Sequence, residues 1–160
     1  AIPGTRGLEH RLGGLAKQPE TGNVSYNPAE NQQMVYERAD KIARLADFIP
    51  EQIVFGPQEG DLLVLSWGST FGAIRSSVRR LQKQGKTVSH AHIRYLNPFP
   101  RNLREMLGNF DRILVPEMNM GQLIILLRGQ FGTHEFIPYS KVQGRPFTIQ
   151  EITDKIETLL

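Results

Sequence analysis

Between Asp61 and Gln122, three apolar runs each follow a charged residue, and each ends in a polar or Gly/Pro loop. The runs cover residues 62–67, 87–95 and 113–116. The loops are Gly68-Ser69-Thr70, Leu96-Asn97-Pro98-Phe99-Pro100 and Glu117-Met118-Asn119-Met120-Gly121. A near-continuous apolar strand is the mark of a sheet covered on both faces. Parallel neighbours need a crossover, and a helix supplies it. The pattern therefore predicts an α/β fold: a three-layer, open, mostly parallel sheet of four to five strands with helices on both faces. Its three loops would share one sheet edge, where such folds bind ligands.

The helices between the strands have readable ends. Ile74, Val78 and Leu81 make the apolar stripe of a helix over about 71–84, which Gly85 terminates. Leu103, Met106, Leu107 and Phe110 mark a short helix begun by Pro100. Asn119 and Gln122 have the spacing of a capping pair for a helix through the apolar segment 123–127. A fourth strand is expected at 135–139. Thr148 and Glu151 form a capping box for a last helix, whose stripe is Ile152, Ile156, Leu159 and Leu160.

Upstream, residues 1–26 are punctuated by glycine and proline and carry no period, which reads as an irregular linker or arm from an upstream domain. Residues 27–60 read as a helix and a connector. Asn27 is the cap, Pro28 the first helical residue and Glu30 the third position, with i,i+4 pairs Glu37–Lys41 and Asp40–Arg44; Pro50 ends the helix, and 51–60 is polar. The α/β domain is 61–160. Ala1 in place of a methionine fits either a piece of a longer protein or a processed chain.

Charge and cysteine content exclude several classes. Lys+Arg minus Asp+Glu is 19 − 16 = +3, too mild an excess to argue for nucleic acid. No apolar run is long enough to span a bilayer, and no secretory signal opens the chain, so a cytoplasmic protein is expected. With no cysteine there is no disulfide, thiolate zinc site or cysteine-ligated iron–sulfur cluster in this chain.

Each candidate site has two readings. Gly68-Ser69-Thr70 at a strand–helix junction offers free N–H groups to an anion, or is a tight turn with a hydroxyl cap. His90 and His92 share a strand face. They either begin a metal site, with Glu117 as the nearest third ligand, or pack under a helix, bonded to backbone or a carboxylate. Arg94 and Asn97 stand where the second strand leaves the sheet, in a loop stiffened by Pro98 and Pro100. That loop serves a site or simply starts the next helix. Glu117 is a base or ligand, or a partner for backbone N–H groups or Arg94; Asn119 and Gly121 stand in the same loop. Arg75, Arg79, Arg80, Lys83 and Lys86 are a solvated helix face or a dock for an acidic partner. No nucleophile–base motif or paired-carboxylate site is evident, so no residue is assigned as catalytic. On these residues the chain reads as an α/β module that lends residues to a site rather than a complete enzyme, with loops at Ser69, Asn97 and Asn119 as its candidate anion-binding loops.

The segments PGTRGLEHRLGGL, TGNVSYNP, LLVLSWGSTFGAIR, AHIRYLNPFPRNL, ILVPEMNMGQL and KVQGRPF, in that order, resemble the C-terminal part of the alpha subunit of 2-oxoacid:ferredoxin oxidoreductases, and within them the 2-oxoglutarate enzymes. The resemblance implies a fold similar to the C-terminal domain of transketolase, called domain II in pyruvate:ferredoxin oxidoreductase. It implies a complete enzyme that turns a 2-oxoacid and coenzyme A into acyl-CoA and carbon dioxide, passing electrons to ferredoxin. Thiamine diphosphate and an iron–sulfur cluster would be held elsewhere, with no cofactor bound by this piece. The implied partners are an upstream pyrimidine-type thiamine domain and a beta subunit, with no nucleic acid and no membrane. Gly7, Glu9 and His10 would adjoin the upstream domain, so His10 would approach the active site.

Overall fold

The computed structural model describes residues 2–9 and 13–160. The chain divides into two compact units, 1–48 and 49–160. In the first, Lys17 and Val24 form an isolated antiparallel bridge, followed by helix α1 (Pro28–Arg44). Asn27 caps α1 by accepting from the Ala29 N–H at 2.9 Å. Glu30 does not close a capping box as expected, because its carboxylate accepts from the Ser25 hydroxyl instead. Neither Glu37–Lys41 nor Asp40–Arg44 forms an ion pair; Glu37 accepts from Gln33 at 2.8 Å. The helix also stops before Pro50, passing at Leu45–Asp47 into a 3₁₀ turn. No residue of α1 is buried.

The second unit contains a five-stranded sheet. Its strands are β1 (Val54–Phe55), β2 (Gly60–Trp67), β3 (Ser89–Ile93), β4 (Phe110–Glu117) and β5 (Glu135–Ser140). They lie in the order β1-β3-β2-β4-β5. Strands β3, β2, β4 and β5 run parallel, and β1 joins β3 antiparallel. The segment read as a polar connector thus supplies an edge strand. Only two residues pair there, too few for alternation to register in sequence. The strand expected over 87–95 keeps only Ser89–Ile93 in the sheet, and Arg94 and Tyr95 leave it.

Along β2 the side chains alternate between faces. Leu63 and Leu65 face a core built with Leu103, Met106 and Leu107 of α3 (Leu103–Gly108) and with Leu123, Leu127 and Phe131 of α4 (Gln122–Phe131). Leu62 and Val64 face the other core. This one holds Ile74, Val78 and Leu81 of α2 (Phe71–Lys83) and Ile152 and Ile156 of α5 (Ile149–Glu157). Ser77 ties α2 to α5 by donating to the Ile149 carbonyl at 2.8 Å. From β2 the chain moves through α2 to β3, and from β4 through α4 to β5 in the opposite direction on the other face. Adjacent strands β2 and β4 therefore define the switch point where a crevice opens in sheets of this kind.

The capping box on α5 is complete. Thr148 Oγ1 accepts from the Glu151 N–H (3.1 Å), and Glu151 accepts from the Thr148 N–H (2.7 Å). Lys141 Nζ adds an ion pair to Glu151 at 2.7 Å. Thr148→Ala is expected to lower stability by about 1 kcal/mol in urea denaturation. The bonds from Lys141 and from Thr148 hold the Glu151 carboxyl down at about 2, against an ordinary 4.5. A depressed carboxyl stabilises the fold above its unfolded pKa, and that contribution disappears as pH falls through the folded value. Stability measured from pH 4.5 down to 2 should therefore fall less steeply in Glu151→Gln than in the parent chain.

Candidate functional site

The strand-end edge is built from backbone geometry that requires particular residues. β2 ends at Trp67, and Gly68 turns the chain with φ +59° into a 3₁₀ turn through Ser69 to Thr70. A positive φ of that kind costs glycine nothing. Thr70 is buried and spends its hydroxyl on the Trp67 carbonyl at 2.7 Å. Ser69 is exposed. At the end of β4, Glu117 is only 1% exposed. Its two carboxylate oxygens accept from the Leu123 N–H (2.8 Å) and the Ile124 N–H (3.0 Å). Asn119 Oδ1 accepts from the Gly121 and Gln122 N–H groups at 2.7 and 3.1 Å. Gly121 has φ +92°, and a Cβ there would stand 3.2 Å from Ile124 Cγ2. Every free N–H at the start of α4 that these side chains can reach is thus taken, and a carboxylate sits at the positive end of the helix dipole. Glu117 consequently neither pairs with Arg94 nor joins the histidines as a ligand.

A second polar group lies between β2 and β3. The register sets Ser66 opposite His92, next to His90. Ser66 Oγ lies 2.7 Å from His90 Nε2 and 2.7 Å from His92 Nδ1. The imidazoles thus pack under a helix as one reading expected, but their partner is a serine hydroxyl rather than backbone or a carboxylate. Phe71, at the start of α2, covers both rings at 5.8 and 5.0 Å. Burial first, then the nearby Arg75 and His92, pushes His90 down to about 3. Burial, then Arg94 and Arg75, lowers His92. Both rings are therefore neutral near pH 7. No group of three or more metal-ligating side chains occurs among the described residues, so the pair lacks further ligands.

Beside His92 opens a cavity of ≈ 370 Å³, with Arg75, Arg94, Phe71 and Ile53 in its wall. The Arg75 guanidinium lies 3.9 Å from the Phe55 ring centroid and 5.2 Å from that of Phe71. Of the residues singled out in sequence, the cavity collects Arg75, His92, Arg94 and Pro100. Gly68, Ser69 and Thr70 end β2; Glu117, Asn119 and Gly121 lead into α4; and Asn97 is exposed in the proline loop, its bond to Pro98 cis. His10 lies outside the described residues. Ser66 and Phe71 were missed as site residues. The available signal was a lone serine within an apolar run, opposite an HxH strand.

The family resemblance implies an iron–sulfur cluster and thiamine diphosphate in the complete enzyme. An iron–sulfur cluster needs cysteine thiolates, and the chain has none. A diphosphate held through a divalent cation needs a group of oxygen ligands. No carboxylate-containing cluster is present among the described residues, and the one buried carboxylate, Glu117, is occupied by backbone N–H groups.

A mostly parallel five-stranded sheet wound to both sides defines an open α/β domain. Residues 60–152 match the family described as pyruvate:ferredoxin oxidoreductase core domain II, and the chain belongs to that family. The chain is similar to 2-oxoglutarate oxidoreductase subunit KorA of Mycobacterium tuberculosis, 42% identical over 95% of this chain and 23% of that protein. It is also similar to the alpha subunit of 2-oxoacid:ferredoxin oxidoreductase 2 from Aeropyrum pernix, 28% identical over 96% of this chain and 24% of that one. Among solved structures, 2-oxoglutarate:ferredoxin oxidoreductase from Magnetococcus marinus, with 2-oxoglutarate, coenzyme A and succinyl-CoA bound, superposes with TM-score 0.86 at 32% identity. The match covers 99% of this chain and 28% of that one. A split-gene transketolase shares the fold alone, with TM-score 0.50 at 16% identity over 68% of this chain and 41% of that one. The chain thus spans about a quarter of the length of the curated relatives it matches first.

Glu117→Gln keeps the shape but leaves one amide oxygen where two carboxylate oxygens accepted. It is expected to cost about 1–3 kcal/mol in urea denaturation. For a base with a depressed pKa the sign is opposite to that of a base gaining a partner. The unfolded chain binds the proton first, so stability falls as pH drops from 6.5 toward 3. His90→Gln should flatten that limb of the stability–pH curve.

Proposed function

We propose that this chain is the C-terminal assembly domain of the alpha subunit of a thiamine-diphosphate-dependent 2-oxoacid:ferredoxin oxidoreductase, with 2-oxoglutarate as the 2-oxoacid. The observation that carries the reading is the 42% identity to a 2-oxoglutarate oxidoreductase subunit over 95% of this chain. The complete enzyme converts the 2-oxoacid and coenzyme A to acyl-CoA and carbon dioxide, and passes electrons to ferredoxin. Thiamine diphosphate and the iron–sulfur cluster belong to other parts of that enzyme. This domain meets an upstream thiamine domain and a beta subunit, in the cytoplasm. Its chemistry supports the role. Glu117, Asn119 and Thr70 are spent on backbone groups rather than left free at the strand-end edge.

A second reading has the loops at Ser69, Asn97 and Asn119 hold an anion, such as part of coenzyme A. It is favoured by their position at strand ends, but the N–H groups that Asn119 and Glu117 occupy are the ones such an anion would need. A third reading keeps the basic face of α2 as a dock for an acidic partner. Arg79, Arg80 and Lys83 are exposed there, whereas Arg75 turns to the aromatic rings.

The enzyme reading is tested by activity in parts. The chain alone, given 2-oxoglutarate, coenzyme A and a viologen dye, should reduce no dye, and the assembled subunits should. Sustained reduction by the chain alone would overturn the assembly role.

A further inference from the structure

Three side chains in the wall of the cavity, Arg75, Arg94 and His92, carry hydrogen-bond donors. Arg75 Nε is buried and has no partner, although Phe55 and Phe71 hold its guanidinium in place. A guanidinium is a donor only, so the lost hydration must be met by an acceptor. Arg94, exposed on the same wall, makes no ion pair among the described residues. The third donor follows from counting protons. Ser66 has one hydroxyl hydrogen and contacts two imidazoles; donating to one and accepting from the other leaves no buried O–H unmet. His90 Nδ1 is buried without a partner. Buried orphan N–H groups are rarer than under-satisfied acceptors, which makes that nitrogen the bare lone pair. His90 Nε2–H then donates to Ser66, Ser66 donates to His92 Nδ1, and His92 carries its proton on Nε2, with no protein acceptor.

From this arrangement we infer that the cavity is a binding site for an oxyanion: the phosphate or carboxylate group of a small molecule. Arg75, His92 and Arg94 all line one volume. At ≈ 370 Å³ that volume falls in the range of small-molecule pockets. Ile53, Phe71 and Pro100 form apolar wall, which strengthens a charge-assisted bond over its value in water. The site stands where Arg94 and Tyr95 leave β3, at the C-terminal sheet edge that open α/β folds use for ligands. Glu51 is the one carboxylate in the lining; it is exposed and makes no ion pair with either arginine. Neutral His90 and His92 keep the donor pattern intact near neutral pH. The site is separate from the loops at Ser69 and Asn119, and it does not depend on the enzyme reading.

Inorganic phosphate and acetate are titrated into the chain at constant ionic strength, with chloride as control, while the His92 and Arg75 side-chain nitrogens are followed by ¹⁵N NMR. Saturable shifts with Kd of about 1 mM or tighter are expected from at least one of the two. The tighter anion names the group. Arg94→Gln should weaken binding about tenfold, the loss of one charge-assisted bond, and Glu51→Gln should tighten it. Both positions are exposed, so folding is not at issue; the stability of each variant is measured alongside. Absence of saturable shifts, an equal response to chloride, or unchanged binding in Arg94→Gln would overturn the assignment. So would loss of the response in the assembled multisubunit enzyme, which would give the cavity to a protein carboxylate.

Discussion

β2 is hydrogen-bonded along both edges and covered on both faces. Leu62, Leu63, Val64 and Leu65 are at most 1% exposed, and the strand pairs with β3 on one side and β4 on the other. Such a position admits no unpaired polar backbone and leaves little freedom of register. A one-residue slip would carry Leu62 and Val64 into the space of Leu63 and Leu65 and break both ladders. Both helical layers take their places from this strand, because its two faces supply the floor for α2 with α5 and for α3 with α4. The polar features inherit the same order. Ser66 can bridge two histidines only because the β2–β3 register sets it beside them, and Glu117 reaches α4 only because β4 ends where the ladder with β5 ends.

At the switch point, polar residues that resemble catalytic groups in isolation turn out to hold the backbone together. A buried carboxylate at a strand end is costly to desolvate unless its oxygens are matched. Two amide donors and a helix dipole match those of Glu117. The same donors are what an incoming anion would have used, so satisfying them internally trades ligand capacity for rigidity. Rigid, internally satisfied loops are suited to docking against other protein domains, because they present a fixed surface with little ordering entropy left to lose.

Much of the second unit was legible in sequence because its signals were local and redundant. Thr148 and Glu151 announce α5 through a capping box, and the run from Leu62 to Trp67 announces a strand covered on both sides. β1 was not legible, since two residues paired antiparallel on β3 leave no period to read. The Ser25–Glu30 bond replaced the expected capping box because a hydroxyl five residues upstream competes for the same carboxylate, and no local rule ranks the two. The site divided the same way. His90 and His92 were visible as a pair on one face, while their partner Ser66 comes from another strand and their cover Phe71 from the next helix. Long-range register decides both, and spacing within one segment does not contain it.

The two-histidine strand shows how the same motif changes meaning with its neighbours. HxH suggests a metal when a third ligand stands within reach. Here the surroundings supply a single hydroxyl, an aromatic ring and cations: Arg75 and Arg94 lower the affinity of the imidazoles for any further positive charge, protons included. The same cations that oppose a metal create the opposite demand, for negative charge. Arg75 cannot discharge itself at any accessible pH, and the aromatic rings that grip it provide no lone pair for its buried Nε. Burial first, and then these cations, keep the imidazoles neutral, while Arg75 and Arg94 beside His92 leave an excess of donors over acceptors at the end of β3. An oxyanion is the ligand class that corrects it.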